Sequence, residues 1–171
     1  YKDLFFALSH GVHRGVLKSG KIDGRITFLK NLVNITPDVK FDIYGIDKVQ
    51  PIWADHYFKT IMNAKMGLNL SRGDAIKYYS SDRITQIVGN GIVCLIDEKT
   101  QYSNFFNNDE MIFYKNSNDL SEKIIKISRD EKLRKKIGKK GKEKYTKHFN
   151  SDLVSSYILE KTFDLPCNKK Y

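Results

Sequence analysis

Three basic side chains, Arg72, Lys77 and Arg83, gather around the short stretch Ser80-Ser81-Asp82. A serine just ahead of Ile84, Ile87 and Val88, which repeat at helical spacing, marks a helix N-terminus. Such a terminus presents unpaired backbone N–H groups and the positive end of the helix dipole. Basic side chains beside it complete the neutralisation of a diphosphate. Asp82, in the first turn, is placed to pair with Arg83 or to accept a bond from a sugar hydroxyl. Tyr78 and Tyr79 can stack or hydrogen-bond, although aromatic pairs more often pack. A second group of cations, His10, His13, Arg14 and Lys18, lies in the Gly-rich stretch from Ser9 to Gly24. It presents positive charge to an anion, with an ordinary polar loop as the alternative. Gly11 and Gly15 do not form GxGxxG and no P-loop sequence occurs, which argues against a nicotinamide or P-loop site. No Cys or acidic cluster joins His10 and His13, so no metal is expected.

The elements that must position these residues alternate. Leu4–Leu8 is a continuous apolar run, as in a strand buried on both faces. A helix is expected from Arg25 to Asn34, stopped by Thr36-Pro37-Asp38. Lys40–Tyr44 reads as a strand ended by Gly45. Pro51-Ile52-Trp53 punctuates a loop, and Asp55–Ala64 reads as a helix with Phe58, Ile61 and Met62 on one side. Met66–Leu70 is the strand that delivers the loop Ser71–Ser81. The helix after that loop ends at Gly89-Asn90-Gly91, where a left-handed residue is cheap. Ile92–Ile96 is a further doubly buried strand, Thr100–Phe106 a short helix and Met111–Tyr114 a last strand. Beyond the cap Asn116-Ser117-Asn118 the chain reads as helical: Leu120, Ile124 and Ile127, then Asp130–Phe149 as one helix or a pair bent near Gly138 or Gly141. Asn150-Ser151-Asp152 caps a final helix with Leu153, Tyr157 and Ile158 apolar. Strand–helix alternation predicts an α/β fold, a three-layer Rossmann-like doubly wound parallel sheet with C-terminal helices. In such sheets ligands bind beyond the carboxyl ends of the strands, where the loop Ser71–Ser81 falls.

Composition sets outer bounds. The 171 residues are 40% apolar and 29% charged, which suits a soluble globular chain and one domain spanning residues 1–171. The longest apolar runs fall far short of the roughly 20 residues of a spanning helix. No signal peptide is expected, and a start at Tyr1 reads as a piece of a longer chain. Cys94 in an apolar strand and Cys167 in a polar tail fit a reducing, cytoplasmic setting. The net charge is +10. Between Lys132 and Lys147 nine basic residues stand against Glu143 alone. A solvated helix explains that run, and so does a face for nucleic acid, anionic lipid or phosphorylated substrate.

The order Ser-Asp-Arg-Ile, Gly-Asn-Gly, IVCLID, a short helix ending Asn-Phe-Phe, DEMIFY, NSNDLSEKI and DEKLRKKIGKKGKEKYTKHFN resembles the C-terminal half of a GT-B glycosyltransferase. It is similar to the group 1 family of nucleotide-sugar transferases. The resemblance covers Met66–Phe163 well and Leu4–Gly45 more loosely. It implies half of a GT-B fold that binds a nucleotide-diphosphate sugar as donor substrate, with no cofactor and no metal. It also implies transfer, with retention, to a polysaccharide or lipopolysaccharide-type acceptor. The acceptor would sit on an N-terminal domain that is absent from this chain, so this piece alone would be incomplete. Arg25, with Arg14 and Lys18 in reserve, matches the basic pair that neutralises the leaving diphosphate, and Lys77 joins Arg25 as the expected catalytic pair. The expected donor-binding set is His10, Arg14, Lys18, Gly45, Arg72, Tyr78, Tyr79, Ser80, Ser81, Asp82, Arg83 and Gln86. Gln86 stands where the family often has a ribose-binding Glu, and Tyr78 where it has a sugar-binding Glu. Both departures leave a non-catalytic relative open. In the glycosyltransferase reading the basic run would lean on an anionic membrane at its cytoplasmic face, while a nucleic-acid module is the alternative. No known nucleic-acid motif supports that alternative, and only Tyr145 interrupts the run with an aromatic.

Overall fold

The computed structural model describes residues 1–8, 24–46, 49–79 and 81–166. His10, His13, Arg14, Lys18, Ser80 and Cys167 therefore lie outside the described residues. The alternation read from the sequence becomes β1 (Lys2–Ala7), α1 (Arg25–Ile35), β2 (Phe41–Tyr44), α2 (Ala54–Met62), β3 (Ala64–Asn69), α3 (Asp82–Gly89), β4 (Val93–Asp97), β5 (Ile112–Tyr114), α4 (Ser117–Arg129), α5 (Glu131–His148) and α6 (Ser151–Thr162). The strands form a five-stranded sheet in the order β2-β1-β3-β4-β5. Every neighbouring pair is parallel. The order reverses between β1 and β3, and in doubly wound sheets a ligand crevice opens at that point, beyond the strands' carboxyl ends.

The apolar runs divide between two faces because strand side chains alternate. Leu4, Phe6, Met66, Leu68, Val93 and Leu95 pack on one side with Leu29 and Leu32 of α1 and Leu120, Ile124 and Ile127 of α4. Phe5, Ala7, Cys94, Ile96 and Phe113 pack on the other with Ile61 of α2 and Ile84, Ile87 and Val88 of α3. Thr36 ties the helices of the first face together: its hydroxyl donates to Leu32 O at 2.7 Å and lies 2.8 Å from Ser121 Oγ. Asn116 caps α4 through Asn118 and Asp119 N–H, and Asn150 caps α6 through Leu153 N–H.

Several sequence expectations shift. Ala64 opens β3 and does not end α2, because Asn63 N–H already closes that helix on Thr60 O. Of the expected stripe on α2, only Ile61 is buried; Phe58 and Met62 are exposed. The short helix at 100–106 is two single 3-10 turns, Glu98–Thr100 and Tyr102–Asn104, hinged at Gln101 with φ 56°. Helix α5 is continuous through Gly138 and Gly141. Those glycines serve close approach and not a bend. A Cβ at Gly138 would collide with the Gly91 carbonyl oxygen, and one at Gly141 with the Glu110 carbonyl oxygen. Among the described residues no helix is long and apolar enough to cross a membrane.

Candidate functional site

The crevice at the reversal of strand order is organised by Arg83. Its residue sits in the first turn of α3, which packs Ile84, Ile87 and Val88 on the sheet and so fixes where the guanidinium points. Arg83 donates to Ala7 O at 3.3 Å and to Leu70 O at 3.2 Å. Those carbonyls end β1 and follow β3, so the guanidinium bridges the two strands at which the order reverses. It also lies over the Phe6 ring, 4.8 Å from the centroid, a favourable cation–π placement. Burial pulls its pKa below the ordinary guanidinium value; Tyr57 partly opposes this and the Arg25 charge adds to it. Arg25 itself is buried at the start of α1. The Arg25 charge thus lies near enough to act on Arg83. The side chains acting most strongly on Arg83 (Tyr57, Arg25, Cys94 and Tyr79) include no carboxylate.

Ser81 is the N-cap of α3, but the expected side-chain cap is absent. The Ser81 hydroxyl donates instead to Asn69 Oδ1 at 2.8 Å. Asn69, at the end of β3, is 2% exposed. Its Nδ2 has no partner among the described residues. A buried donor left unsatisfied is costly and calls for an explanation such as a ligand or water. The sequence reading missed Asn69, although an Asn closing an apolar strand ahead of a basic loop was the available signal.

A hollow of about 320 Å³ opens beside Arg83, lined by Ala7, Leu8, Ile52, Trp53, Ala54, Tyr57, Phe58, Asp82, Arg83 and Gln86. Asp82, Arg83 and Gln86 were anticipated from the sequence. The wall from Ile52 to Phe58 was not, because Pro51-Ile52-Trp53 reads as punctuation and Phe58 as core. Gly45 ends β2 with φ +78°, and a Cβ there would collide with the Leu8 carbonyl oxygen. That glycine holds the chain against the crevice wall through backbone shape.

The remaining candidates stand on the loop after β3. Tyr78 has φ 58°, unusual for a residue with a bulky side chain. It is pinned there: its N–H donates to Thr100 O at 2.8 Å, and Asn104 Nδ2 donates to its hydroxyl at 2.6 Å. Phe105 meets its ring edge-on at 5.0 Å. The Lys77 ammonium lies over the same ring, 4.8 Å from the centroid. Arg72, Lys77 and Tyr79 are exposed. The expected Asp82–Arg83 pairing gives way to Arg83's bonds to the strand carbonyls.

The basic run on α5 changes character in three dimensions. Lys135 pairs with Glu131, Lys136 and Lys140 with Asp109, Lys139 with Glu143, and Lys144 with Glu110. Along the sequence the run faces a single acid; the fold brings others to it from the turn before β5.

Fold and site together define a doubly wound α/β domain with an arginine-lined crevice at the reversal of its strand order. Residues 25–160 match a family model described as glycosyl transferase-like. The chain belongs to that family, and its architecture is that of a GT-B glycosyltransferase domain. No curated protein matches it. Among solved structures it is similar to a point mutant of S. aureus TarM in complex with fondaparinux, alpha-GlcNAc-glycerol and UDP. The identity is 17% and the TM-score 0.66, over 96% of this chain and 35% of that one. The chain thus spans about a third of the length of the solved chain it matches.

Proposed function

We propose that this chain is the donor-binding domain of a glycosyltransferase. It would hold a nucleotide-diphosphate sugar whose sugar is passed, with retention, to a polysaccharide or lipopolysaccharide-type acceptor on a separate N-terminal domain. The carrying observation is the buried Arg83 guanidinium at the strand ends where the order reverses, with the Arg25 charge acting on it. Burial destabilises the Arg83 cation, and an anionic diphosphate beside it would offset that penalty. The open N-terminus of α3 and the unpartnered Asn69 Nδ2 add donors at the same edge of the sheet. As the diphosphate leaves, negative charge grows on it. Fixed N–H groups and guanidinium charges stabilise that growth without metal. The UDP in the TarM structure fits a donor of this class.

Nucleotide-induced stabilisation tests the reading. A ligand at 100 times its dissociation constant raises stability by about 2.7 kcal/mol. A nucleoside diphosphate should raise the melting temperature of the chain, with EDTA present, and Arg25→Ala should abolish the rise. No response to uridine, guanosine or adenosine diphosphate sinks the proposal. A non-catalytic relative is the second reading, favoured by Tyr78, whose hydroxyl is already engaged by Asn104 where the family resemblance implies a free carboxylate. Donor binding without transfer by the full-length protein would select it. A cytoplasmic setting against an anionic membrane belongs to the same proposal: the cations of α5 outside its carboxylate pairs, such as Lys132, Arg134, Lys142 and Lys147, would meet the lipid.

A further inference from the structure

The turn that starts α3 has the backbone of a capped helix and lacks the cap. Ser81 is extended, with φ −102° and ψ 154°. From that conformation an N-cap hydroxyl accepts the N–H of the second or third helical residue, here Arg83 or Ile84. Only the side chain is turned away: the hydroxyl donates to Asn69 Oδ1 at 2.8 Å. Ile84 N–H goes instead to the Ser81 carbonyl oxygen at 3.0 Å. Serine is among the best capping residues, and Asn116, Asp130 and Asn150 do cap α4, α5 and α6. The diverted hydroxyl therefore forgoes a local stabilisation for a bond to a residue 12 positions away.

Asn69 is placed to make that diversion firm. It is the last residue of β3, in register with Ile96 of β4, and 2% exposed. Its amide is thus carried by the sheet and not by the loop. The Ser81 bond fixes which end of the amide faces α3. The other end, Nδ2, is buried with no partner among the described residues. A buried N–H left unmade is costly, so packing alone would favour an apolar side chain at this position. It marks the place of an acceptor that arrives from outside. The next residue of the strand end holds the same turn, since Leu70 O accepts from Arg83. Local stability given up in this way collects at functional sites.

We infer that Asn69 is a positioning residue: it holds the Ser81 hydroxyl off the start of α3, so that the first-turn N–H groups are left to an anionic oxygen of the ligand. Ser81 Oγ and that oxygen compete for the same donors, and Asn69 decides the competition in the ligand's favour. This rests on the donor-binding reading and names the pair of residues that keeps its anion end uncapped. The cost of turning the hydroxyl away is met on folding and not on binding, which is preorganisation. An oxygen that only accepts, such as one of a diphosphate, satisfies the helix N–H groups and the waiting Asn69 Nδ2 together. The hydroxyl of Ser81, once swung back, would satisfy the helix alone and shut the ligand out.

A pair of variants tests the competition. Uridine, guanosine and adenosine diphosphates and pyrophosphate are titrated by calorimetry against wild type, Asn69→Leu and Asn69→Leu/Ser81→Ala. Leucine is close to the amide in shape and removes both the hold on Ser81 and Nδ2. Asn69→Leu should bind the ligands about ten- to a hundredfold more weakly. Its melting temperature should equal or exceed that of wild type, because the unpaired buried N–H is gone and the freed hydroxyl caps α3. Amide exchange followed by NMR should show greater protection of the Arg83 and Ile84 N–H groups in that variant. Removing a second polar group should then restore binding: with no hydroxyl left to cap the helix, the double variant should regain about fivefold or more over Asn69→Leu. A side chain that only packs, or only touches the ligand, gives no such recovery. Asn69→Ala, with and without Ser81→Ala, supplies the same comparison if leucine does not pack. A double variant no tighter than Asn69→Leu overturns the inference and leaves the donor reading standing. So does an Asn69→Leu chain that binds like wild type. A wild-type chain that binds neither nucleotide nor pyrophosphate overturns both.

Discussion

Arg83 shows how much one side chain settles. Its guanidinium satisfies two strand-end carbonyls and lies on an aromatic ring, so it is structural as well as cationic. Arg83→Ala should therefore lower stability by about 1–3 kcal/mol, the cost of leaving buried acceptors unmade, and abolish nucleotide-induced stabilisation. Arg83→Lys should restore little, because an ammonium lacks the planar fork that spans two carbonyls. Denaturant melts with and without a nucleoside diphosphate separate the two effects. Cys94 gives a second prediction. Burial in the apolar face pushes its thiol up to about 12, against a small opposing pull from Arg83. The thiolate is the reactive form, so Cys94 should resist iodoacetamide at about pH 8 in the native chain and react once denaturant unfolds it. Site-resolved mass spectrometry reads the difference, and rapid native labelling would contradict the packing described for β4.

At the scale of elements, α5 carries the most informative prediction. Glycine inside a helix costs about 1 kcal/mol relative to alanine, so alanine ordinarily stabilises. Here Gly138 lies against the Gly91 carbonyl and Gly141 against the Glu110 carbonyl. Both clashing atoms are backbone, which cannot rotate away. Gly138→Ala and Gly141→Ala should each destabilise by about 1–3 kcal/mol, as overpacking does. Higher melting temperatures for these variants would mean that the helix has room to move. The same helix is stapled to its surroundings by an aromatic series: Tyr102, Phe106, Tyr145 and Phe149 stack in sequence, and Tyr145 OH shares a 2.7 Å hydrogen bond with Thr85 on α3. Displacing α5 therefore disturbs the helix whose first turn holds the candidate site, so the glycine variants should also weaken nucleotide binding.

For the whole molecule, stability should depend on pH through carboxylates that the fold holds below their ordinary values. Asp3 is the buried case. Burial pushes its carboxyl up, but the Lys65 ammonium at 2.7 Å and the Lys40 N–H at 2.8 Å outweigh this and bring it below 3.8. Asp119, bonded by Lys123 and the Lys115 N–H, is lowered in the same way. A depressed folded-state pKa contributes stability that is fully present above the unfolded value. It is lost as pH falls through the folded one. Melting temperature should accordingly hold from neutrality down to about pH 5 and drop below about pH 4. Asp3→Asn should lower the plateau and flatten the acid limb. An acid limb as steep as wild type in that variant would assign the loss to other groups. At the same scale the formal charge of +10 is a poor guide to the surface, because Asp109, Glu110 and Glu131 already hold lysines of α5.

What the sequence determined by itself is the local grammar. Continuous apolar runs such as Leu4–Leu8 and Ile92–Ile96 announce buried parallel strands. Asn116 and Asn150 announce helix starts, since a short polar side chain satisfies N–H groups within three residues. Those signals act over a few residues, and together with the alternation they gave the doubly wound class and placed Asp82, Arg83 and Gln86 beside one another. Only the tertiary structure decided matters between residues distant in the chain. It gave Arg83 a second role, as a bridge between Ala7 and Leu70. It converted Gly138 and Gly141 from a suspected bend into a contact surface. It also brought Trp53 and Phe58, read as punctuation and core, onto the wall of the crevice. Each of these depends on which carbonyl or side chain arrives from elsewhere in the fold, and spacing along a sequence holds no record of that meeting.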